Sequence, residues 1–194
     1  ENNYQKILLA NALLYSLPGA PIVYYGDEIG MGDNIWLSDR NGVRTPMQWN
    51  SQRNAGFSAA DTEKLYAPVI DAGDYSYEKV NVEKQKQNRY SLLNKMKRLI
   101  GIRKSHSILA LGDYVFLAQD QKESFAILRT YQGENVLCIH NLSDRSQNLS
   151  LKLKDFSGKM LIDLFDSSEF GKITHNPFEL NLEPYGFHWF KITE

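Results

Sequence analysis

The part of the sequence after residue 105 restricts the fold most. It breaks up into seven short runs rich in β-branched and aromatic residues, with turn-forming residues between them. These runs are residues 114–118, 124–129, 136–140, 149–153, 160–163, 178–182 and 187–192. Many short strands joined by frequent turns are typical of an antiparallel sandwich. The sequence therefore predicts an all-β domain for residues 109–194.

Residues 1–108 follow a different pattern, which predicts part of an α/β domain. Residues 3–17 carry apolar side chains in helical order and end at a Pro-Gly pair. Residues 20–25 follow at once and are apolar at successive positions, as in a strand buried on both faces of a parallel sheet. Residues 83–104 predict a long amphipathic helix. We place the domain boundary near residues 108–112.

Composition and charge exclude several classes of protein. The 22 basic and 23 acidic residues give a net charge of -1, so we expect no nucleic acid and no membrane partner. The single cysteine, Cys138, lies in an apolar run, which predicts a buried thiol and is compatible with a reducing, cytoplasmic compartment. The four histidines are scattered without ligand spacing, so we predict no metal site and no cofactor.

Residues 26–80 form a long segment without helical or strand periodicity. Ordered loops of this length are uncommon in compact domains and are usually functional. The middle of the segment, residues 42–58 (GVRTPMQWNSQRNAGFS), concentrates arginines, amides, a proline and a tryptophan. This loop is where we look for a binding site.

The loop and its flanks resemble a known family. A buried helix, a Pro-Gly pair, the run 20–25 and then GDEIGMG at residues 26–32 are similar to the eighth strand of the α-amylase superfamily barrel. The run VRTPMQW at 43–49, followed by NAGFS at 54–58, resembles the α-glucosidase-like branch. Three further runs, at 30–34, 65–70 and 77–83, resemble the trehalose synthase family within that branch.

The resemblance implies a fold and an activity. The implied fold is the last strand and flanking helices of a TIM (β/α)8 barrel, followed by an antiparallel β-sandwich. The implied activity is that of a longer retaining enzyme that interconverts maltose and trehalose. Such an enzyme needs two carboxylates about 5–5.5 Å apart, which the resemblance assigns to strands preceding residue 1. Asp27 and Glu28 cannot be that pair, because neighbours on an extended chain point to opposite faces. We therefore expect no catalytic residue here and an inactive isolated chain.

The resemblance also implies substrate-binding residues. It places Arg44 at the closed end of the sugar pocket, where a planar fork of donors suits a carboxylate or paired sugar hydroxyls. The alternative for Arg44 is a structural arginine that ties down the loop. Arg40 with Asp39, Gln48, and Asp27 with Glu28 are the further candidates. A solvated surface pair is the favoured interpretation of Arg40 and Asp39. Organising the loop is the favoured role of Glu28, and a buried loop anchor is the favoured interpretation of Trp49.

Two alternative functions remain open at this stage. The first is an α-glucosidase or related α-glucan hydrolase. The second is a C-terminal carbohydrate-binding or assembly module, for which Tyr114, Tyr131, Trp189 and Phe190 would form a stacking platform. Their positions within alternating strands favour core packing instead. Unpaired edges on the run 20–25 would promote self-association, so a homo-oligomer is a further expectation.

Overall fold

The computed structural model describes residues 3–117 and 122–194. The chain forms two compact units. One unit is Ile22–Lys97, and the other combines the residues up to Pro21 with Arg98–Glu194. The first helix thus belongs to the same unit as the β-strands. The predicted boundary near residues 108–112 divides the chain into two consecutive segments, and it stays a prediction. No helix among the described residues is long and apolar enough to cross a membrane.

Helix α1 spans Tyr4–Ser16 and confirms the helix predicted for residues 3–17. The Asn3 side chain caps its first turn by accepting a hydrogen bond from the Lys6 backbone N–H at 3.0 Å. One side of the helix is buried through Leu9, Ala12 and Tyr15. Helix α1 contacts the sheet of its own unit, and this burial is what stabilises so short a helix.

Residues 20–25 do not form a strand, contrary to the sequence prediction. Ile22 is 85% exposed and Tyr24 is 46% exposed. A strand of a parallel sheet requires hydrogen-bonding neighbours on its edges. Within the described residues no segment pairs with this one. Residues 20–25 have the apolar pattern of a buried strand, but no strand that could pair with them lies among the described residues.

The long helix predicted for residues 83–104 is two helices, α2 at Val82–Gln87 and α3 at Leu92–Ser105. The Asn94 amide donates to the carbonyls of Gln85 at 3.0 Å and Asn88 at 2.9 Å. The Gln85 side chain in turn accepts from the Leu93 backbone N–H at 3.0 Å. Because such polar side chains satisfy the backbone locally, they replace helical hydrogen bonds at the break. A short helix, α4, follows at Ser107–Leu111.

Among the described residues, eight strands follow and confirm the predicted antiparallel domain. They are β1 (Asp113–Phe116), β2 (Ser124–Tyr131), β3 (Glu134–Asn141), β4 (Gln147–Leu151), β5 (Met160–Asp163), β6 (Glu169–Lys172), β7 (Phe178–Leu182) and β8 (Phe187–Thr193). One sheet has the order β1-β2-β3-β8-β5-β6 and the other pairs β4 with β7, all antiparallel. Each predicted run contains a strand, although Ala118 lies outside the described residues. Strand β6 was missed because its sequence, EFGK, is polar and contains a glycine.

The central strands of the larger sheet are buried on both faces, whereas the edge strands β1 and β6 are exposed. Leu137, Ile139 and Phe190 share one apolar core with residues of β4 and β7. Cys138 and Trp189 alternate with them and are also fully buried, and α1 and α4 contact β2 and β3. Burial raises the pKa of the Cys138 thiol, so the predicted unreactive cysteine is confirmed. With Trp189 and Phe190 inside the core, the aromatic platform of the binding-module alternative does not form.

Two buried arginines replace the missing helix donors at the end of α1. The Arg129 guanidinium donates to the carbonyls of Ser16 at 2.9 Å, Leu109 at 3.0 Å and Gly112 at 2.8 Å. Arg103 donates to the carbonyls of Tyr15, Leu17 and Gly19. The last carbonyls of a helix have no partner within it and carry partial negative charge. The two arginines therefore supply hydrogen-bond donors to the backbone carbonyls at the end of α1.

The buried His140 makes the stability of this unit depend on pH. The ring lies between Phe125 and Phe187, and its Nε2 is 3.4 Å from the Ser16 hydroxyl. Burial lowers the pKa of His140 to about 3. An unfolded histidine binds its proton near pH 6.5. Between these values the unfolded state holds more protons, so stability should fall as pH falls, by up to about 1.4 kcal/mol per pH unit.

This pH dependence can be measured with a pair of variants. We expect His140→Gln to flatten the slope of unfolding free energy between pH 6.5 and pH 4, whatever its effect at pH 7. His175→Gln, at an exposed position, is the matched control and should keep the slope of the parent chain. Urea denaturation across this pH range gives both slopes. Equal slopes in all three proteins would contradict the assignment to His140.

Candidate functional site

The long loop predicted from the sequence lies in the unit Ile22–Lys97 and has its own small core. Ile29, Met47, Val82 and Leu93 are buried together there. Single turns of 3₁₀ helix at Asp27–Ile29, Asn41–Arg44, Arg53–Gly56 and Thr62–Lys64 are its regular elements. An irregular loop with its own core can hold side chains in fixed positions, as a binding site requires.

Asp27 and Glu28 close a tight turn. The Glu28 carboxylate accepts from the Gly26 backbone N–H at 2.8 Å, and the Asp27 carboxylate accepts from the Tyr24 backbone N–H at 3.0 Å. Gly26 has a positive φ of 94°, and a Cβ placed there would come within 2.8 Å of the Met31 sulfur. Both carboxylates therefore engage their own backbone, and a substrate contact for either one stays a prediction.

Gln48 is completely buried inside the loop. Its amide nitrogen donates to the carbonyls of Tyr75, at 3.1 Å, and Val80. The Gln48 backbone carbonyl accepts from the Val82 backbone N–H at 3.0 Å. Its side-chain oxygen is buried and has no partner among the described residues. These are the contacts of a residue that ties distant parts of the loop together, and they leave no side-chain surface for a sugar.

Arg44 and Arg40 are both exposed. In the described ranges, the Arg44 guanidinium has neither a hydrogen-bond nor an ion-pair partner, and no ion pair joins Arg40 to Asp39. Arg40 and Asp39 are therefore both exposed to solvent, as predicted, but the predicted ion pair between them is not formed in the described residues. The residue that follows exposed Arg44, Thr45, is fully buried. The role of Arg44 in substrate binding stays a prediction.

Two tyrosines that the sequence analysis did not single out hold the Arg44 segment. The Tyr66 hydroxyl donates to the Arg44 carbonyl at 2.7 Å, and the Tyr25 hydroxyl donates to the Thr45 carbonyl at 3.0 Å. Both contacts join residues about twenty positions apart in a segment without periodicity. A sequence pattern cannot indicate such a contact, because only the folded loop brings these residues together.

The prediction that Trp49 is a buried anchor is wrong, because its side chain is 48% exposed. The anchoring is done by its backbone, whose N–H donates to the Ala55 carbonyl at 2.9 Å and whose carbonyl accepts from the Glu83 N–H at 3.0 Å. Asn54 and Ala55 have positive φ values of 56° and 58°. Left-handed non-glycine residues are strained, and such strain is found where a loop is held in a functional shape.

Gly42 fits closely under the segment that leads into Arg44. A Cβ at this position would lie 1.9 Å from the Asp33 carboxylate oxygen and 2.6 Å from the Asn34 carbonyl oxygen. We expect Gly42→Ala to destabilise the protein by about 1–3 kcal/mol, because the Asn34 backbone must move. Calorimetry should show a lower melting temperature for this variant.

The control for Gly42→Ala is Gly101→Ala, within α3. A Cβ at Gly101 meets no atom within 4 Å. Alanine favours helix over glycine, so we expect this variant to gain up to about 1 kcal/mol. If Gly42→Ala were as stable as Gly101→Ala, the tight contact at Gly42 would not restrict the loop.

In the part of the chain that the structure describes, no three His, Cys, Asp or Glu side chains are grouped in a way that could hold a metal ion. The loop exposes hydrogen-bond donors and aromatic rings. Trp36 and Tyr66 are both well exposed. Such a surface suits a polyhydroxylated ligand, since arginine can donate to paired hydroxyls and rings can pack on a sugar face.

The family of the chain follows from comparison with protein-family models. Residues 1–112 match the model of the alpha amylase catalytic domain, and residues 114–189 match that of the maltogenic amylase C-terminal domain. The chain belongs to the alpha-amylase family. Alpha-amylase family membership confirms the predicted fold class, a catalytic-domain part followed by an antiparallel C-terminal domain.

Several curated relatives in the alpha-amylase family share much of this sequence. Trehalose synthase from Pimelobacter sp. is 42% identical over 198 residues, which cover 100% of this chain and 35% of the relative. Trehalose synthase/amylase from Mycobacterium tuberculosis is 42% identical over 196 residues, covering 100% of this chain and 33% of the relative. The chain thus spans about a third of the length of these relatives.

A solved structure shows the same fold. The crystal structure of Bacillus licheniformis trehalose-6-phosphate hydrolase matches with a TM-score of 0.77 and 23% sequence identity, covering 98% of this chain and 39% of the other. A trehalulose synthase matches with a TM-score of 0.75 at 21% identity, covering 97% of this chain and 38% of the other. At this identity the match establishes a shared fold, and the substrate must be argued from closer relatives.

Proposed function

We propose that this chain is the C-terminal part of an enzyme that interconverts maltose and trehalose by intramolecular glucosyl transfer. The observation that carries the proposal is 42% identity to trehalose synthases over the whole chain. An oligo-1,6-glucosidase from Bacillus cereus, a hydrolase by its name, is only 27% identical over 93% of the chain. The closer similarity to the synthases favours transfer over the alternative of an α-glucosidase.

Retaining transfer proceeds in two steps. One carboxylate attacks the anomeric carbon of the glucosyl unit while a second protonates the leaving oxygen of maltose, which releases glucose. The glucose then turns in the closed site and attacks through its anomeric hydroxyl, and the second carboxylate takes that proton. In this proposal both carboxylates belong to the part of the enzyme outside this chain.

This chain would contribute to the wall of the sugar site. The free Arg44 guanidinium would donate to glucose hydroxyls or to a carboxylate beside them. Gln48, Asp27 and Glu28 would act indirectly, since their hydrogen bonds hold the loop. Arg40, exposed and close in sequence, would add positive charge nearby. A long loop around the site would exclude water, which separates transfer from hydrolysis.

Product analysis of the intact enzyme tests this function. With maltose as the sole substrate we expect trehalose as the main product. Isotopically labelled free glucose, added to the reaction, should not enter trehalose if the released glucose stays in the site. Glucose as the only product would favour a hydrolase, and strong labelling would contradict intramolecular transfer. The cytoplasmic location and the homo-oligomer stay predictions.

A further inference from the structure

We propose that Tyr25 and Tyr66 form a hydroxyl clamp that positions Arg44 for binding the sugar. The inference rests on the proposed function, because it assigns a positioning role to two residues beside a sugar-binding arginine. Neither tyrosine needs to touch the substrate. Their action would pass through the backbone of the Arg44–Thr45 segment.

The clamp holds two consecutive carbonyl groups. Tyr66 donates to the Arg44 carbonyl at 2.7 Å, and Tyr25 donates to the Thr45 carbonyl at 3.0 Å. Thr45 has φ of -64° and ψ of 157° directly after the 3₁₀ turn that ends at Arg44. The chain therefore leaves the helical conformation at this point. The hydroxyl groups hold the peptide planes here, and with them the Cα–Cβ direction of Arg44.

Tyr66 is itself supported by the rest of the loop. Its ring packs edge-on against Phe57, with centroids 6.0 Å apart and planes at 65°. Phe57 follows the strained turn at Asn54 and Ala55, and the Ala55 carbonyl accepts from the backbone N–H groups of Trp49 and Asn50. The clamp is thus part of one connected network, and it joins the segments around residues 44, 54 and 66.

A positioned arginine binds better than a mobile one. The Arg44 guanidinium is exposed and has no partner among the described residues, so its side chain is available to a ligand. A side chain that is already oriented loses less conformational freedom on binding. Loss of one clamping hydroxyl should therefore weaken ground-state binding of the sugar, while the reacting groups stay unchanged.

A double-mutant cycle in the intact enzyme tests the clamp. We expect Tyr66→Phe to raise KM for maltose about fivefold, because the freed Arg44 side chain must then be ordered on binding, with kcat within about twofold of the parent. In an Arg44→Ala background, Tyr66→Phe should change kcat/KM by less than about twofold, since the group it positions is gone. The weak activity of the Arg44 variant is measured at high enzyme concentration.

Two further variants keep the result interpretable. Tyr25→Phe should behave like Tyr66→Phe, so the cycle can be completed if one variant fails to fold. Tyr77→Phe is the matched control, because within the described residues the Tyr77 hydroxyl has no hydrogen-bond partner, and it should leave KM and kcat unchanged. Melting temperatures of all variants identify any loss of folding.

The possible outcomes separate the clamp from the proposed function. Equal losses of kcat/KM from Tyr66→Phe in both backgrounds would overturn the clamp, as would a lower kcat at unchanged KM. An intact enzyme that only hydrolyses maltose would overturn the proposed function, yet the same cycle on hydrolysis would still measure the coupling of Tyr66 to Arg44.

Discussion

Replacing Arg129 with methionine is expected to lower the free energy of unfolding by about 3 kcal/mol or more. Arg129 is fully buried, and its guanidinium donates hydrogen bonds to carbonyl groups at the end of α1, in α4 and in the residue before β1. Methionine can fill part of the space but has no donor. The carbonyls of Ser16, Leu109 and Gly112 would then lose this buried donor, and a buried polar group that loses its partner is destabilising.

The chemistry of the site explains why arginine is used. Within the described residues, the Arg129 guanidinium donates only to backbone carbonyls, and burial lowers its pKa. A guanidinium stays charged at neutral pH even so, and its planar fork can reach several carbonyls at once. A lysine ammonium is a compact point charge and cannot span the same three groups. We therefore expect Arg129→Lys to be destabilising as well.

Unfolding in urea, followed by the fluorescence of buried Trp189, measures this prediction in the unit that contains Arg129. Arg145→Met is the matched control, because Arg145 is an exposed arginine paired with Glu123 at 3.1 Å. Exposed ion pairs contribute little, so the control should change stability by less than about 1 kcal/mol. Similar losses from both variants would mean that the backbone contacts of Arg129 do not stabilise the fold.

Replacing Arg44 with alanine in the intact enzyme is expected to lower kcat/KM for maltose by about 100-fold or more. The loss corresponds to two hydrogen bonds from a charged donor, about 3 kcal/mol together. Within the described residues this guanidinium has no partner, while the Arg44 backbone carbonyl accepts from the Tyr66 hydroxyl. Arg44→Lys should lie between the parent and the alanine variant, because lysine keeps the charge but loses the planar pair of donors.

The control for Arg44 is Arg53→Ala. Arg53 is exposed in the same loop and pairs with Asp61 at 3.3 Å. It has the same charge and a similar exposure, so a general effect of lost positive charge would appear in both variants. We expect Arg53→Ala to stay within about threefold of the parent in kcat/KM. Equal losses at Arg44 and Arg53 would remove Arg44 from the sugar site.

Local sequence patterns predicted much of the fold. Short runs of β-branched and aromatic residues between turns located seven of the eight strands described, and helical periodicity located α1. These patterns succeed because β-branched and aromatic residues favour strands, and because a helix with one buried face repeats its apolar residues at a fixed interval. They failed where polar side chains replaced the regular backbone bonds. Asn94 and Gln85 divide the helix predicted for residues 83–104 in this way.

The candidate site was located by sequence but not described by it. The composition of residues 42–58 and their resemblance to a family drew attention to Arg44 and Gln48. Only the folded loop shows that these two differ, since Gln48 is buried between the Tyr75 and Val80 carbonyls while Arg44 is exposed. It also reverses the expected burial of Trp49, whose backbone rather than its ring is the anchor.

The sequence by itself determined most of the elements, the family and the loop in which we look for function, because all three depend on the order of neighbouring residues. The tertiary structure alone decided that Arg129 satisfies the end of α1 and that Tyr25 and Tyr66 hold the segment at Arg44. These contacts join residues 20 to 113 positions apart. Such hydrogen bonds form only when the folded chain brings distant residues together, and a local sequence pattern carries no information about that contact.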